Sequence, residues 1–166
     1  FMTTAERTPA EIAAWFTGRL PAEWTTLAPA EITVDREEIT VILTIDRPEL
    51  ADAGEAADAD AATQAEAADG RITGFREDTR DRRMTVAREA EHRFERKVAW
   101  GVRVGDRTAL FSHLAVPVMT RLRQPERLVL DTLVSAGVAR SRADALAWCV
   151  RLVGRSFKYH RPRGMF

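Results

Sequence analysis

The stretch EITVDREEITVILTID, residues 31–46, decides the fold class, because apolar and polar residues alternate along it on both sides of a turn. The turn is Asp35-Arg36-Glu37, three polar residues between the two alternating rows. A second stretch, VAWGVRVGDRTALFSHLAV at residues 98–116, repeats the pattern around the tight-turn dipeptide Gly105-Asp106. The two stretches predict two β-hairpins.

A helix is predicted ahead of each hairpin. Thr8-Pro9-Ala10-Glu11 combines a capping hydroxyl, a proline at the first helical position and the glutamate of a capping box. The second helix is predicted over Arg71–Lys97, where apolar residues recur every three or four positions. Its other faces, to which Arg83 is assigned, alternate arginines with acids and are interpreted as a solvated surface.

The segment ELADAGEAADADAATQAEAADG, residues 49–70, differs in composition from its surroundings. It holds seven acids and no Lys or Arg, and Leu50 is its one apolar side chain larger than alanine. Such a segment buries too little surface to offset its ordering entropy, which predicts an acidic flexible linker. Alanine-rich acidic runs can also be helical, so both states remain open.

The expected fold class is therefore α+β, with an antiparallel sheet of two hairpins, two helices, and a C-terminal strand-helix-helix module. The predicted divisions are an N-terminal helix plus hairpin (1–48), the acidic linker (49–70), a basic helix plus hairpin completing the α+β domain (71–117), the C-terminal module (118–154) and a basic tail (155–166).

The formal net charge of zero hides a strong asymmetry along the chain. Residues 1–70 carry 15 acids and 4 arginines, and residues 71–166 carry 10 acids and 21 basic residues. The halves therefore have net charges of −11 and +11. A basic half attracts polyanions, which directs attention to nucleic acids.

Signatures of catalysis are missing from the sequence. It contains no nucleotide-binding loop and no hydrolase nucleophile motif, and its three histidines have no metal-ligand spacing. We therefore expect no enzymatic activity, no cofactor and no metal. No run of about 18 apolar residues suggests a membrane span, and the single Cys149 fits a reducing cytoplasm.

The stretch VMTRLRQPERLVLDTLVSAGVARSRADALAWCVRLV, residues 118–153, predicts a short strand followed by two helices. Alternation places Met119, Arg121 and Arg123 on one side of the strand. Pro125 suits the start of the first helix and Gly137 its end. The second helix opens at the capping box Ser141-Arg142-Ala143-Asp144.

This stretch resembles the ribbon-helix-helix DNA-binding family. The resemblance rests on Thr120-Arg121-Leu122, on Leu130-Asp131-Thr132-Leu133-Val134, on Gly137, and on Ser141-Arg142-Ala143-Asp144-Ala145-Leu146. It implies a homodimer whose strands pair into a ribbon that enters the major groove of DNA. By position, it implies base reading by Met119, Arg121 and Arg123, and phosphate binding by Arg140, Ser141 and Arg142.

The leading hypothesis is a dimeric DNA-binding protein that regulates transcription in the cytoplasm. An alternative is a non-enzymatic interaction adaptor whose C-terminal helices pack on the α+β domain. An RNA-binding or ribosome-associated factor is a third, because basic charge does not distinguish RNA from DNA. In the DNA-binding hypothesis, residues 49–70 are a candidate intramolecular competitor for the basic surface.

The last twelve residues resemble a short stretch of the sarcosine oxidase alpha-subunit family, near its ferredoxin-like domain. They contain none of the cysteine ligands that an iron–sulfur cluster needs. The resemblance therefore implies no activity for this chain, and the basic aromatic tail is expected to add non-specific affinity for nucleic acid.

Overall fold

The computed structural model describes residues 7–50 and 57–156, with the backbone alone for residues 57–60. The chain divides into two compact units. The first, the α+β unit, extends to Val116, and the second, the helical unit, begins at Pro117. The division lies one residue before the start expected for the C-terminal module. Much of the tail, residues 157–166, lies outside the described residues, as do residues 51–56.

Helix α1, Pro9–Arg19, begins where the sequence predicts it. The Thr8 hydroxyl accepts a hydrogen bond from the Glu11 backbone N–H at 3.2 Å. The Glu11 carboxylate accepts one in return from the Thr8 N–H at 2.7 Å, which completes the capping box. A short 3-10 turn, Ala22–Trp24, then leads toward the sheet.

Both predicted hairpins form. Strands β1, Glu31–Val34, and β2, Glu38–Thr44, pair antiparallel, as do β3, Lys97–Val104, and β4, Arg107–Leu110. The Asp35 carboxylate stabilises the first turn by accepting hydrogen bonds from the backbone N–H groups of Glu37 and Glu38. Gly105 occupies the second turn with φ +57°, a conformation that glycine adopts without strain.

The expectation of an antiparallel sheet is wrong at its centre. The strand order is β1-β2-β3-β4, and β2 pairs with β3 in parallel, with Val41 opposite Trp100. The sheet is therefore mixed within an α+β fold. The reason is the long helical crossover between the hairpins, which returns the chain to the end of the sheet from which β2 started.

That crossover contains two helices instead of one. Helix α2 spans Ala57–Asp78 and helix α3 spans Arg80–Phe94, with a break at Thr79. The prediction of a single helix from Arg71 therefore misplaced its start and missed the break. The flexible-linker interpretation of residues 49–70 is likewise wrong from Ala57 onward, because that part is helical. The C-terminal end of this part is held by the core, where Ala68 is buried.

The core of the α+β unit lies between the helices and the sheet. β2 contributes a row of fully buried residues, Ile39, Val41 and Leu43, at alternate positions. The helices cover them with apolar side chains, among which Ile12, Phe16 and Ala90 are also fully buried. Burial of several such side chains contributes about 1.5–3 kcal/mol each to folding.

The helical unit contains α4, Gln124–Ser135, and α5, Arg142–Ser156. Gly137 ends the first helix as predicted, with φ +75° and its N–H donating to the Val134 carbonyl. The predicted strand at residues 118–123 is not present in this single chain, where the segment belongs to no strand. A β-strand needs a hydrogen-bonding partner, and within the described residues the sheet offers this segment none.

Candidate nucleic-acid interface

The helical unit has a very small core. Leu130, Ala139 and Ala145 are its buried apolar residues among those described. Five partly buried apolar residues pack against them, namely Leu122, Leu133, Val134, Leu146 and Cys149. A core of this size is too small to stabilise an independent domain, so the unit requires additional apolar contacts.

Large apolar side chains of the same unit lie on its surface. Those exposed are Val118, Met119, Leu128, Val129, Val138, Val150, Leu152 and Val153. Isolated apolar residues on a surface are normal, but a set this dense within about 40 residues is typical of an interaction surface.

Residues 118–123 belong to no helix or strand and lead into α4, with an extended backbone at Arg123. Val118 is 88% exposed and Met119 95% exposed, so neither belongs to the core. Leu122 anchors the end of the segment by packing on the small core, and its carbonyl accepts a hydrogen bond from Arg127 at 2.7 Å. The segment is therefore held at one end, and within the described residues it pairs with no strand.

Two of the predicted base-reading residues present their charge to solvent. Arg121 and Arg123 are exposed, and neither side chain makes an ion pair with a residue that the structure describes. The backbone N–H of Arg123 donates to the Glu126 carboxylate at 2.5 Å, which caps α4. This hydrogen bond fixes the position at which the segment joins the helix.

The start of α5 is capped as the sequence predicts. The Ser141 hydroxyl accepts from the Asp144 N–H at 3.1 Å, and the Asp144 carboxylate accepts from the Arg140 N–H at 3.0 Å. The next two backbone N–H groups, those of Arg142 and Ala143, belong to the first turn and have no intrahelical acceptor. The Arg140 side chain is exposed and makes no ion pair within the described chain.

Arg142 is engaged within the unit. Its Nε lies 2.7 Å from Oδ1 of Asp131 and its second donor lies 2.9 Å from Oδ2, a bidentate pair that joins α5 to α4. Hydrogen bonding from Arg142 lowers the pKa of Asp131, and the same interaction raises the pKa of Arg142. The guanidinium predicted to bind phosphate is thus held by a carboxylate, which leaves Arg140 as the member of that group whose side chain makes no ion pair within the described chain.

Positive charge predominates on the described part of the helical unit. Residues 117–156 carry seven arginines and three acids, a net charge of +4. Two copies brought together would double it, and a surface of that charge attracts polyanions at low ionic strength.

The prediction that Arg83 lies on a solvated face of its helix is wrong. Arg83 is only 5% exposed and belongs to the interior of the α+β unit. Its position was detectable, because Arg83, Val86 and Ala90 share the spacing of one helix face. The prediction instead grouped it with the surrounding arginines, most of which are exposed.

Comparison with known proteins identifies two domain families along the chain. The N-terminal domain of the Rv1265-like protein family matches residues 10–110, and the Mb1296 C-terminal domain family matches residues 123–159. These matches correspond to the two structural units. Neither family is the ribbon-helix-helix or the sarcosine oxidase family.

Several mycobacterial proteins are similar to this chain over most of its length. Those named Uncharacterized protein Mb1296, from Mycobacterium bovis, and Uncharacterized protein Rv1265, from Mycobacterium tuberculosis, are each 57% identical over 142 residues. The aligned region covers 86% of this chain and 58% of each relative, so the chain spans little more than half of their length.

No solved structure matches the chain significantly. No helix among the described residues is both long and apolar enough to cross a membrane. Because the N-terminal family model covers well over half of its residues, the chain belongs to the Rv1265-like family.

Proposed function

We propose that this protein is a dimeric DNA-binding protein that regulates transcription. In this proposal, residues 118–123 of two copies pair into an antiparallel ribbon that enters the major groove. The observation that carries the proposal is the segment 118–123, which belongs to no strand and precedes a helix pair with three buried apolar residues among those described.

Dimerisation accounts for the exposed apolar surface of the helical unit. A second copy would cover side chains of α4 and α5, such as Leu128 and Val150, that a single copy leaves in water. It would also give the backbone groups of residues 118–123 their hydrogen-bonding partners. Both deficits of the single unit are thereby removed by one symmetric interface.

The roles of individual residues follow from this arrangement. Alternation along the ribbon would direct Met119, Arg121 and Arg123 toward base edges, where arginine pairs with guanine through two hydrogen bonds. At the start of α5, Arg140 and the Ser141 hydroxyl would bind a phosphate together with first-turn N–H groups. Arg142 would support them through Asp131.

The proposal is tested by fluorescence anisotropy with a labelled DNA duplex of mixed sequence, a few helical turns long, at low salt. We expect binding by a dimer, with log affinity falling linearly as log salt rises. Arg140→Ala should weaken binding to all duplexes and make that slope shallower by about one for each phosphate that the variant no longer neutralises. Arg121→Ala should reduce sequence preference, measured by selection from a random duplex pool.

The matched control is Arg88→Ala, which removes an exposed arginine from α3 in the other unit. This variant should leave the salt slope and the sequence preference unchanged. Absence of DNA binding by the wild type at low salt would refute the proposal. Tighter binding to single-stranded RNA than to duplex DNA would favour the RNA-binding alternative.

The adaptor alternative makes a different prediction for the same variants. A protein partner held by the apolar surface would survive high salt and would be released by Val150→Asp, while Arg121→Ala would have no effect. In the DNA-binding proposal, Val150→Asp should instead convert the dimer to a monomer, measured by analytical ultracentrifugation.

A further inference from the structure

A cavity of about 430 Å³ lies in the α+β unit, beside the break between α2 and α3. Arginines and acids of the two helices form one side, and residues of β3 and of the chain after β4 form the other. Its lining includes Arg76, Arg80, Arg83, Met84, Trp100 and Phe111. The cavity combines apolar walls with a few charged groups, as is typical of small-molecule sites.

Arg83 is the unusual member of this lining, because it is buried without a carboxylate partner. Its Nε donates to the Thr79 hydroxyl at 2.9 Å, and a terminal nitrogen donates to the Arg76 carbonyl at 2.7 Å. Within the described chain no acid forms an ion pair with it. Burial lowers the pKa of Arg83, and repulsion from Arg76 and Arg80 lowers it further. An arginine remains charged nevertheless, and the attraction of Glu77, which forms no ion pair with it, only partly offsets this buried positive charge.

The aromatic wall only partly compensates for this charge. The guanidinium carbon of Arg83 lies 4.7 Å from the centre of the Phe111 ring, and that of Arg76 lies 5.6 Å from it. These interactions orient both guanidinium groups against the ring. They do not supply the hydrogen-bond acceptors that the remaining N–H groups of Arg83 require.

The larger cavity of the same unit, about 560 Å³, provides a contrast. Two of its arginines are paired within its own lining, Arg71 with Asp46 at 3.1 Å and Arg82 with Glu23. A buried arginine without an ion pair therefore distinguishes the cavity at Arg83 from the larger cavity.

The net charge around Arg83 indicates what would complete the site. Three arginines line the cavity against two acids, Glu77 and Glu91, which leaves a net charge of +1. A ligand with one negative charge would therefore balance the site, whereas a polyphosphate would overcompensate it.

A buried donor without a partner belongs to a residue of the same lining. Trp100 is only 3% exposed, and its indole N–H has no hydrogen-bond acceptor within the described part of the chain. Buried polar groups without partners are rare in folded proteins and indicate a missing water or ligand. Trp100, which also lines this cavity, thus carries one buried donor without a partner.

We infer that this cavity binds a small organic monocarboxylate, with the carboxylate on the guanidinium of Arg83 and an apolar body against Met84 and Phe111. The planar fork of an arginine matches the two oxygens of a carboxylate. The inference does not depend on DNA binding, because every residue that carries it belongs to the α+β unit.

Isothermal titration calorimetry on the full chain tests the inference with 2-naphthoate and octanoate as probes. The matched ligands are 2-naphthamide and octanamide, which keep the shape and lack the charge. We expect at least one carboxylate to bind with a Kd of about 1 mM or lower, and its amide to bind about tenfold to hundredfold more weakly. Failure of both carboxylates at about 5 mM would overturn the inference. Equal binding of acid and amide would also overturn it.

Substitutions of Arg83 test whether this residue causes the preference for the carboxylate over its amide. Arg83→Met should remove the preference for the acid over the amide, and the control Arg88→Met, on the exposed face of α3, should retain it. If circular dichroism shows that Arg83→Met is unfolded, Arg83→Lys becomes the test of the proposed interaction. This variant keeps the positive charge and lacks the planar guanidinium that matches two carboxylate oxygens. Acid binding by Arg83→Lys should be about tenfold weaker, and unchanged acid binding would exclude the proposed interaction.

Discussion

At the scale of single residues, the pair between Asp131 and Arg142 connects folding to pH. Its two hydrogen bonds join α4 to α5 beside a core of three buried residues. Because Arg142 lowers the pKa of Asp131 in the folded chain, the pair contributes stability above the pKa that Asp131 has when unfolded. That contribution is lost as pH falls through the lower pKa of the folded state.

We therefore expect Asp131→Asn to loosen α5 at neutral pH and to have a decreasing effect as the solution becomes acidic. The measurement is hydrogen exchange of the α5 amides, compared between wild type and variant at each pH. The difference should be present at about pH 6 and shrink toward about pH 3. A difference that is independent of pH would indicate that the aspartate acts through its shape and not its charge.

The capping box of α1 gives a second prediction for a single residue. Thr8→Ala removes the acceptor of the Glu11 N–H and should lower the free energy of unfolding of the α+β unit by about 1 kcal/mol. Urea denaturation monitored by tryptophan fluorescence measures this change. Thr17→Ala is the control, since that exposed hydroxyl bonds only to a helix carbonyl and caps nothing. An equal loss of stability in the control would contradict the capping argument.

At the scale of elements, Gly101 determines how closely β3 and β4 approach. A Cβ at this position would lie 2.9 Å from the Ala109 carbonyl oxygen and 2.8 Å from a methyl group of Leu110. The backbone oxygen cannot move without disturbing the hairpin. Gly101→Ala should therefore reduce the free energy of unfolding by about 1–3 kcal/mol. In contrast, Gly18→Ala meets open space within α1 and should stabilise the fold by about 0.5–1 kcal/mol, measured by the same urea denaturation.

The hairpins, the central strand pairing and the helices differ in how far the sequence predicts them. The two hairpins were predicted correctly because alternation and turn residues are local signals. The parallel pairing of β2 with β3 depends on residues more than 50 positions apart, and no local pattern encodes it. Helix α2 was missed before Arg71 because its alanines and acids define no apolar face. The break at Thr79 was missed because an apolar period continues across it.

For the candidate site, composition predicted the basic C-terminal module. Pro125 predicted the start of its first helix, and the capping box at Ser141 predicted the start of its second. The sequence could not predict that Arg142 pairs with Asp131, because the two residues are eleven positions apart on different helices. Pairing of residues 118–123 between chains remains a proposal. The monomer supplies only the unpaired segment and the exposed apolar residues.

At the scale of the whole molecule, the charge asymmetry follows the two units. Residues 117–166 carry ten basic residues and three acids, a net charge of +7, and residues 1–116 carry the opposite −7. The acidic segment 49–70 is only in part available to compete with DNA. Asp69 already pairs with Arg107 at 2.8 Å, and Ala68 belongs to the core, so deleting the whole segment would damage the α+β unit.

A sharper test of that competition neutralises four acids of the segment and leaves Ala68 and Asp69 unchanged. The variant combines Asp52→Asn, Glu55→Gln, Asp58→Asn and Asp60→Asn. We expect it to bind duplex DNA several-fold more tightly than wild type at low salt. The difference should vanish near 1 M salt, where screening shortens the reach of charge to about 3 Å. The control neutralises four exposed acids elsewhere in the same unit, namely Glu37, Asp78, Glu95 and Asp106. Because both variants change net charge equally, an equal gain in affinity would show that total charge, and not the acidic segment, opposes DNA binding.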